Sequence, residues 1–181
     1  MRRWRSSLLV FFLPIAITCG GLDNFLIEEQ SRAVIQSGSL LEQFAGAAGF
    51  GEFATVDITQ NQSLQNQGVE RHQIDSVKIL SLTMTIVDPQ GEDFTFLDSI
   101  EFFVEADGLP KVSIATGGPF PSGASTVELT IPDQDLADYA ASESMNITTE
   151  ARGRRPDQDT TIDANLMLDV DVNVEGAACG G

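Results

Sequence analysis

From about residue 53 onward, apolar and polar positions alternate with a period of two. That is the spacing of strands with one buried face and one wet face. Ala54, Val56 and Ile58 alternate with Thr55, Asp57 and Thr59, and Leu80, Leu82, Met84 and Ile86 with Ser81, Thr83 and Thr85. The pattern recurs over 100–105, 112–116, 126–131 and 145–152. It is clearest near the end of the chain. Ile162, Ala164, Leu166, Leu168, Val170, Val172 and Val174 interleave with Asp163, Asn165, Met167, Asp169, Asp171, Asn173 and Glu175. This predicts a long antiparallel strand with its back in water.

Upstream the pattern changes. Residues 27–36 predict a strand, and Ser39 with Glu42 forms a capping box ahead of Leu40, Leu41, Phe44, Ala45 and Ala48. That spacing predicts a short helix, ended by Gly49 and Gly51. Turn residues punctuate the strands: Asp88, Pro89 and Gly91 suit a type I turn, and Asp107-Gly108 a hairpin. Residues 117–123 read as a longer loop, and 132–141 as a turn or two of helix crossing between strands. About eight short strands with this punctuation predict an all-β antiparallel sandwich, Ig-like or similar, with one or two short helices. A closed barrel is the second choice.

The first residues follow another rule. Arg2, Arg3 and Arg5 precede an uninterrupted apolar run over 8–17, with Pro14 inside it, and then Cys19. Charge, short apolar run and small-residue boundary are the order of an export signal. The run falls short of the roughly 20 apolar residues that a spanning helix needs. Ala16-Ile17-Thr18-Cys19 resembles the lipobox of bacterial lipoprotein precursors, with Ala16 and Thr18 where that family usually carries Leu and Gly, Ala or Ser. The resemblance implies acylation of Cys19 as the first mature residue. Gly20 follows it without the acidic residue that retains some lipoproteins at an inner membrane, which implies the outer membrane, facing the periplasm or the surface. The expected division is a signal peptide over 1–18, then 19–52 with the lipidated N-terminus, linker, first strand and short helix. The sandwich follows over 53–181, with strand 27–36 part of it.

Loss of the signal changes the charge. The whole chain carries 10 Lys and Arg against 27 Asp and Glu. Without the three leading arginines, 7 remain against 27, a net charge of −20. Such a surface repels nucleic acid and anionic head groups, so no nucleic-acid partner is expected. The partners expected are the membrane, through the anchor, and envelope proteins. Cys19 and Cys179 are the two cysteines, and in an oxidising compartment such a pair invites a disulfide. A lipidated sulfur cannot also be bridged, so lipid anchor and Cys19–Cys179 disulfide exclude each other in one molecule.

The segment Asp93-Phe-Thr-Phe-Leu-Asp-Ser-Ile-Glu-Phe-Phe-Val-Glu-Ala-Asp-Gly-Leu-Pro-Lys111 resembles a group of exported bacterial proteins of unknown function. The resemblance implies a β fold and an extracytoplasmic setting. It implies no activity.

Catalytic side chains are scarce. His72 is the single histidine, in a polar stretch that reads as a surface loop, and no Gly-x-Ser-x-Gly elbow is present. Trp4 leaves with the signal and Tyr139 is the sole tyrosine, so aromatic sugar platforms are few. No cofactor and no catalytic residue are expected. For metals, Asp169 to Glu175 begins like an EF-hand loop but has Val174 where the sharp turn needs Gly. Asp157, Asp159 and Asp163 are the better calcium candidates, though no defined motif joins them. Arg152, Arg154 and Arg155 form one basic cluster, a candidate for an anionic ligand. The competing reading is a hairpin loop paired to Glu150, Asp157 and Asp159. Asn61-Gln-Ser63 and Asn146-Ile-Thr148 match the glycosylation acceptor, coincidental in a bacterial lipoprotein.

Three functions follow, in order of preference. The first is a non-enzymatic, lipid-anchored envelope protein acting as a structural or interaction module. The second is a soluble secreted adhesin or ligand-binding sandwich closed by a Cys19–Cys179 bridge. The third is a carboxylate-based hydrolase, which requires two acids in one concave site.

Overall fold

The last alternating run becomes the spine of one sheet. A computed structural model describes residues 24–38, 43–46, 53–56, 61–142 and 145–173, and all structural statements concern these residues. The elements in chain order are β1 (Asn24–Ile35), β2 (Gln43–Gly46), β3 (Phe53–Val56), α1 (Gln62–Asn66), β4 (Ile74–Asp88), β5 (Leu97–Glu105), β6 (Val112–Gly117), β7 (Thr126–Glu128), α2 (Ala137–Ala141), β8 (Met145–Arg154) and β9 (Thr160–Val172). One sheet has the order β1-β9-β4-β7 and the other β2-β8-β5-β6, with β3 also paired to β8. Every pairing is antiparallel. The protein is an all-β antiparallel sandwich with two short helices.

The core lies between the sheets. β9 contributes Ile162, Ala164, Leu166, Leu168, Val170 and Val172, all buried, while residues between them reach the outer face. Ile100, Phe102 and Val104 of β5, Ile114 of β6 and Met145, Ile147 and Ala151 of β8 meet them in one apolar cluster. Burial of such side chains is the main stabilising term, at roughly 1.5–3 kcal/mol for a whole aliphatic or aromatic group.

β4 departs from its sequence pattern. Its register with β9 gains a residue between Ile74 and Ser76, between Ile79 and Ser81, and between Ile86 and Asp88. Each extra residue is a bulge that resets which face the following residues occupy. Leu80, expected in the core with Leu82, Met84 and Ile86, is such an extra residue and is 49% exposed. Val87, at the third bulge, is 38% exposed.

The helix expected from the capping box is also corrected. Gln43–Gly46 is strand β2, opposite Arg154 to Ala151 of β8. The rest of that segment, and Ile58 of the first alternating run, lie outside the described residues. A helix of ten residues is marginal in water. A short edge strand instead takes its backbone hydrogen bonds from a neighbour already in place. Asn61, the first residue of the glycosylation-acceptor match, caps α1: its side chain accepts from the Ser63 N–H at 3.0 Å. Leu64 then seats the helix in the core.

The connections fall where expected. Between β5 and β6, the Leu109 N–H donates to the Ala106 carbonyl at 3.0 Å. Gly108 sits third in that turn with φ +80, the position where a type II turn requires a positive φ. α2 lies in the 132–141 crossing, and the Tyr139 hydroxyl ties it to the Pro110 carbonyl at 2.7 Å. The 126–131 run is strand only to Glu128, after which Thr130 exchanges both backbone hydrogen bonds with Thr116 of β6, at 2.8 and 2.9 Å. That bridge joins the two sheets along one side. The other side of the β1 sheet ends on β1 itself.

Candidate functional site

The alternation of β8 decides where the basic cluster points. Thr149, Ala151 and Gly153 are buried, so Glu150, Arg152 and Arg154 emerge on the outer face of their sheet. Cross-strand register then brings Glu101 of β5 directly opposite Glu150, and Ser99 opposite Arg152. With Thr116 of β6 these side chains line a groove of about 380 Å³. Its floor includes Ile100 and Ala151.

The groove has mixed charge. Lys111 donates to Glu150 at 2.9 Å and lies 4.3 Å from the centre of the Phe103 ring, a cation–π contact that fixes the ammonium between acid and ring. Two facing carboxylates, a guanidinium and two hydroxyls offer both donors and acceptors to a polar ligand or a partner's side chains. Facing carboxylates are also what the hydrolase reading requires. The groove's lining contains no histidine, tyrosine or tryptophan that would serve as a base or sugar platform.

Arg154 and Arg155 lie at the end of the sandwich, where they line a small pocket of about 40 Å³ together with Glu92, Asp93 and Asp157. Arg155 also donates to the Gln36 carbonyl at 3.2 Å. The expected partners of this cluster are rearranged: Glu150 bonds to Lys111, and Asp159 accepts from both the N–H and the hydroxyl of Ser37 at 2.8 Å. The Ser37 backbone N–H, then its hydroxyl, holds the Asp159 carboxyl below its ordinary range. Asp163 lies on β9 directly opposite Arg32 of β1, which grips it with a fork of 2.5 and 2.7 Å. Among the described residues, Asp157, Asp159 and Asp163 are not gathered into one metal-binding group, and no set of three such ligands is found. His72 lies exposed in a 3₁₀ turn over Arg71–Gln73, 3.3 Å from Glu70. Asp169 and Asp171 belong to the wet face of β9. Cys19 and Cys179 lie outside the described residues.

Asp93 was not singled out by its sequence. It accepts from the Gly123 N–H at 2.7 Å, from the Thr95 N–H at 3.0 Å and from the Thr95 and Ser122 hydroxyls. The Gly123 bond leads in lowering its carboxyl from 3.8 to about 2. It therefore caps the 3₁₀ turn Phe94–Phe96 and pins the 117–123 loop to it. Asp93→Ala is expected to lower stability by about 1 kcal/mol, as for other lost caps. A folded-state carboxyl below its unfolded value stabilises above the unfolded value, and that contribution fades as pH falls. The difference between parent and variant should thus persist at neutral pH and shrink from about pH 4 toward pH 2, as read by urea titration at each pH.

No protein-family model matches the chain, and no curated protein matches it. Among solved structures, it is similar to the decameric BFDV capsid protein at 12% identity and a TM-score of 0.40, over 83% of this chain and 98% of that one. It is also similar to a chain of Desmodium yellow mottle tymovirus at 11% identity and a TM-score of 0.26, over 98% and 97%.

Proposed function

We propose that this protein is an exported, lipid-anchored β-sandwich acting as a non-enzymatic interaction module of the cell envelope, with the outer membrane as its address. The observation that carries the reading is Cys19 closing an export signal only five residues before β1 begins at Asn24. Five residues span at most about 17 Å. A lipid on Cys19 would therefore keep the sandwich against the bilayer, where envelope proteins are its partners. The groove around Glu101, Glu150 and Arg152 is the surface best equipped to contact them, since it presents both signs of charge.

One observation favours a second reading. Asn24 lies opposite Asp171, so β1 begins and β9 ends at the same end of one sheet. That arrangement suits a secreted binding domain closed by a Cys19–Cys179 disulfide.

Fractionation of native cells separates the two. The anchored form is expected in the membrane fraction, released by detergent but not by high salt, and Cys19→Ser should move it to the soluble fraction. Recovery of the parent protein in the soluble fraction would overturn the anchor.

A further inference from the structure

We propose that β1 joins two copies of this chain, edge to edge and antiparallel, about a twofold axis through Gln30. This goes beyond the anchoring proposal and does not depend on it. β1 is the outermost strand of its sheet, and among the described residues only β9 pairs with it. Every second residue of such a strand directs its N–H and C=O away from its one neighbour, a template for another strand. Proteins often shield this kind of edge by making it short, as at the other end of the same sheet, where β7 has 3 residues. β1 has 12.

The side chains on its outer face are complementary to themselves. In order they are Asn24, Leu26, Glu28, Gln30, Arg32 and Val34. When Gln30 faces the second copy's Gln30, Glu28 faces the second copy's Arg32, and Leu26 faces the second copy's Val34. Both contacts then occur twice, as twofold symmetry requires. Leu26 and Val34 are the two most exposed large apolar residues described, at 65% and 50%, and this register covers both. On the core side it sets Glu29 opposite Ser31.

Neighbouring registers lose these matches. A shift of one pair in one direction sets Glu29 against the second copy's Glu29 and Leu26 against Arg32. The opposite shift sets Glu28 against Val34. Like charges directly opposed destabilise a strand pair. The Arg32 fork to Asp163 uses Nε and Nη2, leaving Nη1 available to the incoming Glu28. Glu28 meanwhile accepts from Asn165 at 2.6 Å through Oε1, leaving Oε2.

Sedimentation equilibrium of the full chain in mild detergent, over a concentration series, should return the mass of two copies. Glu28→Arg turns both symmetry-related ion pairs repulsive and should raise the dissociation constant about tenfold or more. Crosslinking fixes the register. In a Cys179→Ser background, Gln30→Cys should form a disulfide-linked dimer above the level of that parent, because residue 30 meets itself. Glu28→Cys should not, since its copies stand about 14 Å apart. A single-copy mass at every concentration would overturn the proposal, as would crosslinking through position 28 in place of 30. None of these changes touches Cys19, so loss of the dimer and loss of anchoring are read separately.

Discussion

Phe102→Ala is expected to lower the stability of the folded chain by about 3–5 kcal/mol, the range for deleting a buried aromatic ring. Phe102 is 0% exposed, in the middle of β5, facing the core between Ala115 of β6 and Thr149 of β8. Both flanking positions carry small side chains, so neither can reach into the space left by the ring. The cavity term then adds to the lost transfer energy. Domains of this size have about 5–15 kcal/mol in total. The variant should show a urea midpoint lower by more than about 1 M with an unchanged slope. A midpoint within experimental error of the parent would mean that the two sheets do not pack through this residue.

Gly153→Ala is expected to have the next largest effect, a loss of about 3 kcal/mol. Gly153 is buried in β8, flanked by Phe44 of β2 and Leu97 of β5. A β-carbon there would collide with the Phe96 carbonyl oxygen and lie 3.0 Å from the Leu97 Cα. Both are backbone atoms, in a stretch held by the bulge at Asp98, so the clash cannot be relieved by a rotamer change. Arg152→Ala, one residue earlier on the wet face, is the control and should change stability by less than about 0.5 kcal/mol. Equal stability of the two variants would contradict the close approach of β8 to β5.

These two residues illustrate what the sequence discloses. The inward position of Phe102 follows from local alternation over 100–105, and the whole of β9 reads in the same way. Gly153 carries no such mark, because its role depends on the backbone of Phe96, more than fifty positions away. Leu80 misleads for a related reason: the pattern around it is regular, and only the pairing with β9 makes it the extra residue of a bulge. β2 was hidden by a genuine local helix signal that strand pairing with β8 overrode.

The candidate site divides likewise. The arginines of the basic cluster stand out by composition on so acidic a chain. The groove does not, since Glu101 and Glu150 meet only through cross-strand register. Asp93 shows both cases in one residue. Its cap on Thr95 is local, while the bond that lowers its carboxyl most comes from Gly123, thirty residues on.

The anchoring proposal rests on the cysteine that ends the export signal, and the mass of the mature N-terminal peptide tests it most directly. Protein extracted with detergent from native membranes should begin at Cys19 and carry the added mass of a diacylglyceryl group. A chain without lipid, lighter by the two hydrogens of a Cys19–Cys179 disulfide, would contradict the anchor and establish a secreted domain in its place.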